Sequence, residues 1–122
     1  MFTLEFDSTH ANLMANYGMM QPGKKEILKG GIVEMLGKME NKIGMVHLID
    51  NDSTLYKDIT SMHVPFGTGE INFDEVLKAL RDDAKYTGEW WIVDLVFNSN
   101  AWNLLKECRE FLIKMDKKYG SR

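Results

Sequence analysis

The chain has 122 residues, of which 44% are hydrophobic and 27% charged, and its formal net charge is −3. These values are ordinary for a globular chain and predict a single domain over residues 1–122. The lysine pairs are short and form no basic surface, so we expect no nucleic-acid binding, and no apolar run approaches the roughly 20 residues of a membrane helix, so we expect no membrane. The single cysteine, Cys108, excludes an internal disulfide. Together with an N-terminus unlike a signal peptide, it predicts a cytoplasmic protein.

Extended and helical patterns alternate along the first half of the chain. Residues 2–6 (FTLEF) predict a strand, the following DSTHAN a polar loop, and residues 12–20 are methionine-rich and ambiguous. Apolar spacings of three, four and seven predict a helix over residues 24–39, although Gly30-Gly31 weakens it. Residues 41–49 are almost continuously apolar, which indicates a strand covered on both faces.

The second half continues the alternation. Residues 50–61 predict a polar loop, 62–66 a short extended segment and 67–69 a glycine turn. A helix over residues 73–83 follows, capped by Asn72 or Asp74. Residues 90–97 (WWIVDLVF) predict the strongest strand, and residues 101–119 a long helix. The inward face of this helix should carry Leu104, Leu105, Cys108, Phe111, Leu112 and Met115.

The order strand, helix, strand, helix, strand, helix predicts an α/β fold with a parallel sheet. Because parallel crossovers are right-handed, this order leaves two arrangements, an open three-layer sheet or part of a barrel.

Acids and histidines stand near the carboxyl ends of the three predicted strands, where α/β folds bind ligands. Asp7 and His10 follow the first strand, His47 and Asp50 end the second, and Asp94 interrupts the third. Two carboxylates and an imidazole suit a divalent metal, Mn²⁺, Mg²⁺, Co²⁺ or Zn²⁺, with positions left for substrate oxygens.

Each of these residues also has a purely structural interpretation. His47 is as well explained by a core histidine as by a ligand, and Asp7 by a helix or turn cap. His10 fits a surface loop, and His63 fits either kind of role. For Asp94, burial without a partner costs several kcal/mol, so this acid needs a metal, a donor or an exit to solvent. Cys108 lies on an apolar helix face, which predicts an unreactive thiol.

Four segments, in order, resemble the carboxyl-terminal part of the sugar-phosphate isomerase/epimerase family, the xylose-isomerase-like TIM barrels. LEFDSTHAN is similar to a strand ending in Asp-x-x-His, and IGMVHLIDND to a strand with a metal-binding histidine. HVPFGTGEINFDEVLKAL is similar to an H-x-P-x-G-x-G segment before a helix, and GEWWIVDLVF to the last strand, which ends in a metal-binding, proton-transferring glutamate. The resemblance implies an α/β partial TIM (β/α)8 barrel that comprises about the last three βα units, with parallel strands.

The resemblance also implies roles for individual residues. Asp7, His47 and Asp94 would be the metal ligands, Asp94 would move the proton, and His10 would contact the substrate. The family's first metal ligand, a glutamate, has no counterpart, and an aspartate, Asp94, stands in place of the last one. The related zinc endonucleases carry Asp-x-His before the glycine turn, where this chain has Ser61-Met62-His63, so a three-zinc site is not expected.

The implied function is a metal-dependent isomerase or epimerase acting on a sugar, sugar phosphate or polyol, incomplete as this chain alone. We expect a homo-oligomer or a complementing half-barrel chain, because a barrel of this type needs about 250 residues and eight strands. An enzyme would also need a fourth ligand, a carboxylate, from Glu5, Asp50, Asp52 or a partner. The alternatives are a non-catalytic barrel fragment acting as a binding or assembly module, and a self-contained small α/β domain whose acids are caps.

Overall fold

A computed structural model describes residues 2–120 as a mixed α/β structure. The elements, in chain order, are β1 (Leu4–Asp7), α1 (Ser8–Ala11), a π-helical turn (Asn12–Asn16), α2 (Gly31–Lys38), β2 (Ile43–Leu48), β3 (Leu55–Tyr56), β4 (Thr60–Ser61), α3 (Phe73–Asp82), β5 (Ile92–Val93) and α4 (Ala101–Tyr119). Strands β1, β2 and β5 form a parallel sheet in that order, and β3 pairs with β4 as a small antiparallel hairpin. The prediction of an α/β fold with parallel strands is therefore confirmed.

The segment between β1 and β2 differs from the prediction at two places. The predicted polar loop after β1 is helical, since Asp7 caps α1 and the π-helical turn continues from it. The helix predicted over residues 24–39 begins only at Gly31, whose φ of 57° suits glycine. Before it, the amide of Leu28 donates to the carbonyl of Ala15 at 2.9 Å, so this stretch packs on the π-helical turn instead of joining the helix.

The strand predicted over residues 90–97 is wrong in length, because only Ile92 and Val93 pair with β2. Before them, the Tyr86 hydroxyl donates to the carbonyl of Trp90 at 2.9 Å. After them, the Asp94 side chain accepts the amide of Val96 at 3.1 Å, which turns the chain out of the sheet. Asp94 therefore follows the strand, and its side chain is 28% exposed, so it reaches solvent and carries no full burial cost.

The sheet buries one face. Phe6, Val46 and Leu48 point into a single apolar core. Its helical members come from α1, α2, α3 and α4: Ala11, Ile32, Leu36, Phe73, Val76, Leu77, Ala79, Leu80, Leu112 and Met115. On the other face Met45 is 41% and Ile92 36% exposed, so the prediction that β2 is covered on both faces is wrong. The parallel sheet thus has a helix-covered face and an open face.

Helices α3 and α4 match their predictions closely. Asn72 caps α3 by accepting the amide of Glu75 at 3.3 Å. On α4, Cys108, Leu112 and Met115 are buried as predicted, and the Phe111 ring stacks on Phe66. Leu104 is partly buried, whereas Leu105 is exposed, against the prediction for that residue. Within residues 2–120, neither α4 nor any shorter helix combines the length and the apolar character that a membrane span requires.

Candidate metal centre

The open face of the sheet carries acids and an imidazole at the carboxyl ends of its strands. Asp7 of β1 lies opposite His47 of β2, and His47 lies opposite Ile92 of β5, two residues before Asp94. His47 is therefore central, with its Nδ1 3.2 Å from Glu5 Oε1 and 3.9 Å from Asp94 Oδ2. The alternating direction of side chains along a strand places Glu5 and His47 on the same face.

Asp7 uses one carboxylate oxygen as a helix cap. Its Oδ1 accepts the amides of Thr9 and His10 at 2.9 and 3.2 Å and the Thr9 hydroxyl at 2.7 Å. All three bonds fall on Oδ1, and Oδ2 lies 4.0 Å from His10 Nε2. The structural interpretation of Asp7 as a cap is therefore correct, and the cap also fixes Oδ2 in a direction where it can bind a cation.

His63 is the site residue whose role the sequence left open. The residue is only 3% exposed, and both ring nitrogens have partners. Nε2 lies 3.3 Å from the Thr9 hydroxyl, and Nδ1 lies 3.1 Å from the Asp94 carbonyl oxygen and 3.5 Å from Asp94 Oδ1. Its place in the His-x-Pro segment gave the only signal in the sequence, and that signal did not say what the ring contacts.

His10 lies at the rim of the same site. Its side chain is 43% exposed, and Nδ1 lies 3.4 Å from the Ser61 hydroxyl of β4. An exposed imidazole next to the strand ends suits contact with a bound molecule better than metal ligation. The sequence-derived role of His10 as a substrate contact remains a prediction.

Of the three carboxylates considered as a fourth ligand, Glu5, Asp50 and Asp52, Glu5 lies beside His47. Asp50 is buried and accepts four backbone amides, from Asn51 and Ile71 on Oδ1 and from Gly67 and Gly69 on Oδ2, at 2.9 to 3.1 Å. Asp52 closes an exposed turn by accepting the amide and hydroxyl of Thr54. Glu5 in contrast extends over the open face toward His47, with a side chain that is 46% exposed.

Among residues 2–120, two overlapping sets of side chains bring potential metal-ligand atoms close together. In one, ligand atoms of Glu5, Asp7 and His47 lie within 4.8 Å of one another, and in the other those of Asp7, His63 and Asp94 do so. Ligands in adjacent positions of an octahedral site lie about 3 Å apart, given metal–oxygen bonds near 2.1 Å, so the 3.2 Å between His47 and Glu5 fits directly. The donors are carboxylates and imidazoles, which suit Mg²⁺, Mn²⁺, Co²⁺ and Zn²⁺. Asp7, His47 and Asp94 thus meet at one edge, but the structure adds Glu5 and His63 to them.

Aromatic rings border the candidate metal centre. Phe97, with a φ of 71°, stacks on Tyr56 of the hairpin with ring centroids 4.0 Å apart. The same ring meets His63 edge-on at 5.6 Å. A bulky residue with positive φ is rare and costs energy, so the stacking holds Phe97 where an extended strand would not place it. These rings form an apolar wall beside the polar residues.

A second polar cluster, formed by Asn12, Tyr17, Asn51 and Glu70, holds together the segments next to the candidate metal centre. Asn12 donates through Nδ2 to Asn51 Oδ1 and Glu70 Oε1, both at 2.9 Å. The Tyr17 hydroxyl also donates to Glu70 Oε1, at 2.7 Å, and this hydrogen bond raises the pKa of Tyr17. The cluster joins the π-helical turn to the loops after β2 and before α3, and so supports the strand ends from behind.

Comparisons with protein-family models, with curated proteins and with solved structures found no match to this chain. The resemblance described from the sequence motifs therefore remains a prediction.

Proposed function

We propose that the chain is part of a xylose-isomerase-like (β/α)8 barrel and that its open sheet face lines the barrel interior. Two features support this. The parallel strands follow one another in chain order, β1-β2-β5, and the helices that follow them share a core on a single face of the sheet. Successive units of a β/α barrel have this arrangement, with helices outside and a ligand site at the carboxyl ends of the strands.

The function that this geometry supports best is metal-dependent isomerisation or epimerisation of a sugar, sugar phosphate or polyol. The observation that carries it is the placement of His47 between Glu5 and Asp94 on the open face, at the strand ends. A bound divalent cation would polarise a hydroxy-carbonyl group and acidify the neighbouring C–H. The Mn²⁺, Mg²⁺, Co²⁺ or Zn²⁺ ion would be held by His47, Glu5, Asp7 and Asp94.

Side chains of this chain would then handle the proton. The Asp94 carboxylate follows a strand end and is partly exposed, so it can reach a substrate C–H as a general base. The exposed His10 imidazole can hydrogen-bond a substrate hydroxyl at the rim. The stacked rings of Tyr56 and Phe97 offer an apolar surface to the C–H face of a sugar.

The site needs further elements to catalyse this reaction. The open face leaves Met45 and Ile92 exposed, whereas proton transfer from carbon requires that water be excluded. In the described part of the chain, β1 and β5 each have a strand on one side only. An open groove of about 930 Å³ next to β5 is lined by residues such as Trp90, Leu105 and Ile113. Unpaired strand edges and exposed apolar side chains favour association, so we propose completion by a half-barrel chain or by a second copy. The cytoplasmic location predicted from the sequence belongs to this proposal.

Metal binding tests the proposal first. Native mass spectrometry and calorimetry with Mn²⁺ should show a bound ion that EDTA removes. His47→Ala should abolish binding, while Asp52→Asn, which changes an exposed carboxylate in the neighbouring turn, should leave binding unchanged. A wild-type chain that binds no Mn²⁺, or a His47→Ala variant that binds it as well as the wild type, would contradict the proposal.

The alternative is a non-catalytic binding or assembly module, and the unpaired strand edges support it equally well. A second measurement distinguishes this module from an enzyme. In D₂O with Mn²⁺, an isomerase or epimerase should exchange deuterium into the C–H beside a ketose carbonyl, which NMR detects without knowledge of the product. Light scattering on the same sample gives the assembly. A metal-loaded assembly that leaves all the tested ketoses unexchanged would favour the module.

A further inference from the structure

Asp7 ends β1 and Asp94 directly follows β5, and these two strands do not pair with each other. β2 lies between β1 and β5, so no backbone hydrogen bond of the sheet joins the two segments that carry these carboxylates. A metal site that uses both acids needs their spacing fixed to within about 0.5 Å. Pairing with His47 of β2 positions Asp7. Asp94 lies beyond Val93, the last paired residue of β5, so its position depends on contacts outside the sheet.

The ring of His63 makes this contact. Through Nε2 it meets the hydroxyl of Thr9, which in turn lies 2.7 Å from Asp7 Oδ1, and through Nδ1 it meets the Asp94 carbonyl at 3.1 Å. His63 therefore spans from the residues after β1 to the residue after β5, over the end of β2. Thr9 lies 54 positions before His63 and Asp94 lies 31 positions after it, and the one imidazole contacts both.

The ring is itself held in place. The neighbouring Val64 pairs with Asp50 through reciprocal backbone bonds of 3.0 and 3.2 Å, and the Asn98 side chain donates to the His63 carbonyl at 3.2 Å. The edge-on contact with Phe97 fixes the ring plane. A buried imidazole with two partners and fixed backbone on either side is a rigid spacer.

The same contacts argue against direct metal ligation by His63. A carbonyl oxygen only accepts, so Nδ1 carries the proton in its bond to Asp94 and has no lone pair to give. The Thr9 hydroxyl donates its one proton to Asp7 Oδ1, so the 3.3 Å approach of Nε2 to Thr9 Oγ1 is a packing contact that covers this side of the buried ring. For His63 to bind metal, the Nδ1 bond to Asp94 would have to break or Thr9 would have to move away from Nε2.

We infer that His63 is a positioning residue that sets the distance between the Asp7 and Asp94 carboxylates, and so controls metal affinity without binding the metal. This inference rests on the proposed metal site. Residues that orient metal ligands in this way change affinity by about 10- to 100-fold when they are replaced.

The test compares Mn²⁺ affinity and ligation in wild-type protein, His63→Gln and His63→Ala. His63→Ala should bind Mn²⁺ about 10- to 100-fold more weakly. His63→Gln should recover part of the loss, because its amide can still donate to the Asp94 carbonyl. Electron spin-echo modulation should show a directly bound imidazole nitrogen in the wild type and in both His63 variants, whereas His47→Ala, which should bind no Mn²⁺, should give no such signal. Val76→Ala, which truncates a buried residue of α3, controls for loss of stability, with circular dichroism on every variant.

The outcomes separate the two proposals. A wild-type chain without Mn²⁺ binding overturns the metal site itself. If the wild type binds through His47 but the affinity of His63→Ala is unchanged, or if it falls no further than that of Val76→Ala, the positioning role is wrong. Loss of a nitrogen signal in the His63 variants would make His63 a ligand and would also overturn the inference. If His63→Ala does not fold, the His63→Gln measurement still decides, because a weakened affinity with the nitrogen signal retained supports positioning.

Discussion

The Oδ2 atom of Asp50 lies 3.0 Å from the amide nitrogen of Gly69, although 19 positions separate the two residues in the sequence. The loop between β4 and α3 is folded around this carboxylate, which also accepts the amides of Gly67 and Ile71. The loop carries His63 and Val64 at its start, so the same carboxylate supports the candidate metal centre without being part of it.

Replacing Asp50 should therefore cost stability. Asp50→Asn keeps the shape but presents an amide NH₂ to amides that need an acceptor. A lost hydrogen bond to a buried charged group costs about 1.5 to 3 kcal/mol, so urea unfolding should show a fall of at least that size. Asp52→Asn, at an exposed position, should stay within about 0.5 kcal/mol of the wild type. Equal stability of the two variants would show that the loop does not depend on Asp50.

A methyl group at Gly69 should be as harmful as the loss of the carboxylate. A Cβ there would lie against the Asp50 carboxylate and the Asn51 carbonyl, at separations that real Cβ atoms do not show. Gly37 is the matched control, because a Cβ at this helical position meets nothing within 4 Å. Chemical denaturation should place Gly69→Ala below the wild type and Gly37→Ala about 0.5 to 1 kcal/mol above it. If Gly69→Ala were the more stable of the two variants, the loop would be able to shift and accommodate the added methyl group at little cost.

Glu5 should contribute to metal affinity. Its carboxylate lies 3.2 Å from His47 Nδ1 and supplies a negative charge that Gln lacks. Because affinity for hard divalent ions follows the charge count of the ligands, Glu5→Gln should weaken Mn²⁺ binding by about tenfold or more. Glu107→Gln, on the exposed side of α4, should not change it. If calorimetry gave the same Mn²⁺ dissociation constant for Glu5→Gln and Glu107→Gln, Glu5 would not be a ligand.

The contact between α3 and α4 should make stability depend on pH. The hydrogen bond from Tyr119 to Asp74, helped by Lys118, lowers the pKa of Asp74. A depressed pKa in the folded state means that this stabilisation is present above the unfolded pKa of about 3.9 and is lost as the pH falls through the folded value. The same bond raises the pKa of Tyr119, so at the alkaline end its stabilisation is lost as the pH rises above about 10.

Tyr119→Phe removes that hydrogen bond and should make stability depend less on pH at both the acidic and the alkaline end. The melting temperature, followed by circular dichroism from pH 2.5 to 11, should depend less on pH in this variant than in the wild type. Tyr56→Phe is the control, since its ring stacks on Phe97 and has no acidic partner in this contact. Identical profiles for Tyr119→Phe and the wild type would show that the bond does not persist in solution.

Several elements could be predicted from the sequence because local patterns determine them. The apolar spacing over α3 and α4 and the cap at Asn72 depend on residues within a few positions of one another, and both helices lie where predicted. The alternation of strands and helices predicted the parallel sheet for the same reason. The apolar run WWIVDLVF predicted too long a strand, because its pattern does not show that only two of its residues pair with a neighbouring strand.

The sequence by itself determined the class of the fold and the presence of acids and imidazoles near the strand ends, since both depend on local order along the chain. Only the tertiary structure decided which of these groups meet. It placed Glu5 beside His47, used Asp50 to hold backbone amides, and brought His63 between Thr9 and Asp94. These choices depend on contacts between residues 17 to 54 positions apart, which form only when the strands have paired and the helices have closed one face of the sheet.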